Sequence, residues 1–107
     1  MIFPGLSLWD HRTNKTIPVD PAGKALAEKI AGQHDWIHVE ILAQGSRVRV
    51  AYNRQQLLDW RELDPSRLKT GPIGLQLHGF TKWQEVVYKD VAIETFPKQD
   101  RLITINE

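Results

Sequence analysis

A chain of 107 residues, 41% hydrophobic and 25% charged, is long enough for one modest core and too short for two, which excludes most large enzyme architectures. Its 14 basic and 13 acidic residues are mixed along the sequence and leave a net charge of +1, so nothing reads as a nucleic-acid stripe or a basic membrane-surface helix. Cysteine is absent, which removes disulfides, thiolate metal sites and cysteine nucleophiles, and no run of about 18 apolar residues reads as a membrane span.

In chain order, an early strand ends at Trp9. One helix follows over Pro21 to Ala31: Asp20 caps it, Pro21 suits its first position, Leu26 and Ile30 share a face, and Gly32 stops it. From Trp36 the period changes to two, with Ile37, Val39 and Ile41 on one face and His38, Glu40 and Leu42 on the other. Val48, Val50 and Tyr52 repeat the alternation after Gly45. A Gln44-Gly45 turn would set Ile41 opposite Val48 and Glu40 opposite Arg49, a cross-strand ion pair. Asn53-Arg54 turns the chain into a third strand at Leu57 to Trp60, although Arg is poorer than Gly at the second turn position.

Further strands are expected at Ile73 to His78, at Val86 to Tyr88 and Val91 to Ile93 around a bulge at Lys89-Asp90, and at Arg101 to Ile105 after a turn at Pro97 to Asp100. Strands recur and a helix occurs once, so the class is all-β, a sandwich or part of one, in a single domain over residues 1–107.

Three stretches carry a family resemblance: Asp35-Trp36-Ile37-His38-Val39-Glu40-Ile41, then Val48 to Asn53 after Gly45, then Gly71-Pro72-Ile73-Gly74-Leu75-Gln76-Leu77-His78-Gly79. Together they resemble the 3-keto-disaccharide hydrolase domain family, related in fold to family 16 glycoside hydrolases and concanavalin-type lectins. Three glycines, a Gln and a His at fixed spacing make the last stretch the most specific, and Val86 to Ile93 looks like that family's final strand. The resemblance runs from about Leu6 to Glu94 and matches the later part of the family's domain. It implies a concanavalin-like jelly-roll β-sandwich, partial or completed by oligomerisation through open sheet edges. It also implies a sheet face that holds a saccharide, an exported location (periplasmic or secreted), and attack on 3-keto-glycosides. Proton abstraction beside the ketone then eases cleavage, because the carbonyl stores the carbanion as an enolate.

Such chemistry needs a base and an electrophile. His78 is the preferred acid, base or ligand, and Gln76, on the same strand face, is suited to sugar hydroxyls. His38 is a candidate substrate contact, Arg47 and Arg49 can donate to a bound acid or sugar or else be paired charges on an outer strand face, and Trp60 and Trp83 can stack on the apolar side of a sugar ring, whereas Trp36 is expected in the core. His34, His38 and Glu40 contain metal-ligating types, so a divalent metal is conceivable, but the pattern assigns no metal residue. The retaining-glucanase pattern Glu-x-Asp-x-x-Glu is broken in Glu62-Leu63-Asp64-Pro65-Ser66-Arg67, where Arg replaces the last carboxylate and Pro makes a loop. Nucleotide loops and serine-hydrolase elbows do not occur. The expectations are therefore a carbohydrate-active enzyme, a non-catalytic sugar-binding module, or a self-associating unit, with a saccharide and a second copy as partners and neither nucleic acid nor membrane.

Overall fold

A computed structural model describes residues 8–10, 13–67, 70–75, 83 and 85–105, with the side chains of Trp9, Asp10 and Arg67 left aside. Two antiparallel sheets, one α-helix and a single 3-10 turn at Pro65–Arg67 make up the regular structure of these residues, so the class is mainly β with a short helix. A small hairpin joins β1 (Leu8–Asp10) to β2 (Lys15–Ile17), and the main sheet is a meander of β3 (Val39–Gln44), β4 (Arg47–Tyr52) and β5 (Gln55–Arg61) in the order β3-β4-β5. Such a meander is compatible with a piece of a jelly-roll sandwich.

Helix α1 (Pro21–Gln33) starts as expected: Asp20 Oδ1 accepts from the Ala22 amide at 3.0 Å, and Pro21 occupies the first turn, where no amide is needed. It does not stop at Ala31 but continues through Gly32 to Gln33, because the break comes only where His34 adopts extended backbone. Gly23, Ala27, Ile30 and Ala31 form its buried face. The small side chain of Ala27, fully buried, lets the helix approach the sheet closely.

Packing against this face are Val50 and Tyr52 of β4 and Leu57 and Leu58 of β5. Adjacent residues of a regular strand point to opposite faces, yet both leucines belong to one core cluster. A bulge explains this: Val50 pairs with Leu58 while Ala51 pairs with Gln56, leaving Leu57 as the extra residue. The core lies between α1 and the sheet, bordered by Ile37, Val48 and Trp60.

The first turn of the meander is displaced from the expected one. Gln44 pairs with Arg47, so the turn residues are Gly45 and Ser46, with Ile41 opposite Val50, Leu42 opposite Arg49 and Glu40 opposite Ala51. The expected and observed registers differ by two residues, which preserves the face of every side chain, so the apolar pattern fits both equally. Turn chemistry separates them: Gly45 has φ of 54°, and the two-residue hairpin turn with a left-handed residue only at its first position calls for Gly there. The second turn is the expected two-residue Asn53-Arg54, both left-handed, at φ of 47° and 68°.

The larger correction concerns the last third of the chain. Among the described residues, none of 70–75 or 85–105 is in a strand, although their apolar residues alternate as expected of strands. Asp90 and Phe96 take left-handed φ of 54° and 51°, which breaks extended runs, so the expected bulge at Lys89-Asp90 has no ladder to interrupt. In the tail, the Ile103 and Thr104 amides donate to the Glu40 carboxylate rather than to a strand carbonyl, which withdraws them from ladder pairing. Most apolar side chains of these segments are accordingly exposed, Ile73 at 81%, whereas Leu102 of the tail is buried at 4%.

Candidate functional site

Strand alternation gives the main sheet two unlike faces. Val48, Val50, Tyr52, Leu58 and Trp60 point toward α1, while Glu40, Leu42, Gln44, Arg47, Arg49, Asp59 and Arg61 point the other way. The second face is polar, and the described C-terminal segment 97–105 runs across it.

Arg49 sits on the central strand of that face and is 6% exposed. Its Nη2 donates to Gln44 Oε1 at 2.5 Å and pairs with Asp100 Oδ1, and its Nη1 donates to the Asp100 carbonyl at 3.2 Å. Its buried Nε has no partner among the described residues. On the same face, Glu40 accepts from the Ile103 amide at 2.8 Å, the Thr104 amide at 3.0 Å and the Thr104 hydroxyl at 2.6 Å. The expected Glu40–Arg49 pair is thus absent: with the turn at Gly45-Ser46 the two residues are no longer opposite, and each takes a partner from the tail. Arg47, by contrast, forms a two-point pair with Asp59, Nε to Oδ1 at 2.7 Å and Nη2 to Oδ2 at 2.6 Å.

These contacts set the acidity of the face. Burial alone would raise the Glu40 pKa, but the hydrogen bonds from Thr104 and Ile103, aided by the nearby His38, outweigh it and hold the carboxyl below its ordinary range. The hydrogen bond from Arg47 lowers Asp59, and that from Arg49 lowers Asp100. On the other face, burial raises the Tyr52 phenol.

The residues singled out from the sequence separate as follows. His38 precedes β3 with an exposed side chain; its amide donates to Asn53 Oδ1 at 2.8 Å, and its carbonyl accepts from the Asn53 amide at 2.9 Å, bracing the open end of the hairpin. His38 and Arg49 lie toward the same polar face. Trp60 lies on the opposite one, half-buried against the core. Trp83 is 84% exposed, open for stacking. Gln76 and His78 fall outside the described residues. Trp36 is not the core residue expected: it is 50% exposed, with the Lys89 ammonium 4.2 Å above its ring, a cation–π contact.

No cluster of three metal-ligating side chains occurs among the described residues, and both oxygens of Glu40 already accept hydrogen bonds. Glu62 and Asp64 serve their own loop, with Glu62 Oε1 accepting from the Asp64 amide at 2.8 Å and Asp64 Oδ1 capping the turn Pro65–Arg67 through the Ser66 amide at 3.0 Å. Sequence reasoning missed Gln44, Asp100 and Thr104 as partners on this face. Only the surplus of Arg on β4 signalled that acids from elsewhere were required.

Against known protein families, residues 7–94 match the model of the 3-keto-alpha-glucoside-1,2-lyase-like domain. No curated protein and no solved structure matches the chain.

Proposed function

Because the chain belongs to the 3-keto-alpha-glucoside-1,2-lyase-like domain family, we propose that this carbohydrate-active domain cleaves 3-keto-α-glucosides by proton abstraction next to the ketone. The C2 hydrogen of such a sugar is acidified by the C3 carbonyl. A base removes the proton, the C–H electron pair passes into the enolate, and its collapse expels the aglycone oxygen from C1 to leave a C1–C2 double bond. The aglycone leaves as an alcohol after taking a proton, and later addition of water makes the overall change a hydrolysis.

The observation that carries this reading is the family match over residues 7–94, which takes in the whole Gly71 to Gly79 run with Gln76 and His78. We assign His78 the base role, Gln76 and His38 contacts to hydroxyls, and Trp83 the stacking surface. Incubating the purified chain with a 3-keto-α-glucoside and following the ultraviolet absorbance of the conjugated enone tests it. His78→Ala is expected to lower turnover by about 100-fold or more, and absence of both turnover and binding in the unsubstituted chain would overturn the reading.

One observation favours a second reading, saccharide binding without turnover. Glu40, Asp59 and Asp100 are held below the ordinary carboxylate range by donors of the chain itself, which makes them poor bases toward a carbon acid. Calorimetric binding of the same glucoside with no enone formed would select it. The exported location implied by the resemblance is part of the proposal and is checked by fractionation of producing cells.

A further inference from the structure

Segment 97–105, which closes the polar face, follows the last residue of the family match, whereas Arg49 and Glu40 lie inside it. A guanidinium as buried as that of Arg49 demands a facing anion, because a buried charge without one is uncompensated. The anion that answers it comes from outside the matched region, from an aspartate whose own side chain is 73% exposed.

The answer is also incomplete. Arg47, on the same strand and face, shows the full form: one carboxylate takes Nε and Nη2 together. Asp100 reaches only Nη2 with its carboxylate and Nη1 with its carbonyl, and the buried Nε of Arg49 is left without a partner among the described residues. Orphaned buried donors are rare, and this one belongs to the sheet face that also carries Gln44 and Glu40, acceptors suited to hydroxyl groups. Glu40 accepts the Thr104 hydroxyl at 2.6 Å as it would a sugar hydroxyl.

We propose that Arg49, Gln44 and Glu40 form a binding site for a saccharide bearing a carboxylate, a uronic acid, and that segment 97–105 fills this site as an intrachain stand-in. Asp100 stands for the acid and the Thr104 hydroxyl for a ring hydroxyl. The saccharide half of this rests on the family reading above; the acid half rests on Arg49. Self-occupancy lowers apparent affinity by the fraction of time that the site is open, so removing the Asp100 carboxylate increases it.

Calorimetric titration of the full chain and its Asp100→Ala variant with glucuronate, glucose and acetate tests the proposal. D100A is expected to bind glucuronate about tenfold or more tightly than the unsubstituted chain does, and to prefer it over glucose and acetate by at least the same factor. Equal affinity of the two chains for glucuronate, or binding by neither, overturns the proposal, as does a D100A affinity for glucose or acetate that matches glucuronate. Should D100A lose its folded circular-dichroism spectrum, Asp100→Asn keeps the side chain's size, and the same comparison decides. Turnover of an uncharged 3-keto-α-glucoside is read in its own assay, so failure of the earlier reading and failure of this one are told apart.

Discussion

Arg54 occupies left-handed backbone at φ of 68°, a conformation that costs an L side chain about 1–2 kcal/mol. Glycine takes it freely but loses more chain entropy on folding, about 0.5–1 kcal/mol. The balance predicts that Arg54→Gly stabilises the fold by about 0.5–1 kcal/mol, a rise in Tm of about 2–6 °C in a thermal melt. Glu40 makes the second residue-scale prediction. Its pKa is lowered from 4.5 in the folded chain, so the folded state binds that proton less readily than the unfolded state does. The resulting stabilisation is complete above the unfolded value and is lost as pH falls through the folded one. Asp59 and Asp100 act with the same sign but lie near solvent, where salt screens them. Denaturant midpoints are therefore expected to fall as pH drops from about 5.5 to about 2.5, and Glu40→Gln is expected to start lower and decline less steeply.

Among the elements, β5 is tied to the core by its bulge, which places Leu57 and Leu58 together under α1. Leu58→Ala is expected to cost about 2–5 kcal/mol in urea unfolding, a large part of the stability typical of so small a domain. The extent to which the elements could be read in advance varies with how local their causes are. The start of α1 was legible because Asp20 and Pro21 act within one turn, and its extension past Ala31 was not, because Gly32 only weakens a helix that contacts with the sheet sustain. Strands β3 and β4 were legible by alternation, while their register was misplaced by two residues because such a slide changes no side chain's face. Reading Gly45 as the first turn residue would have corrected it.

At the scale of the whole molecule, the sheet is covered by α1 on one face and by the tail on the other, and the described apolar side chains Ile73, Leu75, Trp83 and those of residues 86–93 remain outside both layers. Val87, Val91 and Ile93 are exposed, as are Val39 and Ile41 at the rim of β3. Surface of this kind favours association. Light scattering coupled to size exclusion is expected to give at least twice the 12.3 kDa mass of one chain, consistent with self-association, and a monomer at all concentrations would count against it.

The sequence by itself determined the mainly β class, the single capped helix, the meander and the family, because caps, two-residue turns and alternation act between residues close in the chain. Only the tertiary structure decided which strand-like segments find partners and what faces Arg49 and Glu40. Asp100 is 51 residues from Arg49 and Thr104 is 64 from Glu40. Charge and alternation state that a side chain needs a partner; which distant segment supplies it depends on how the layers stack.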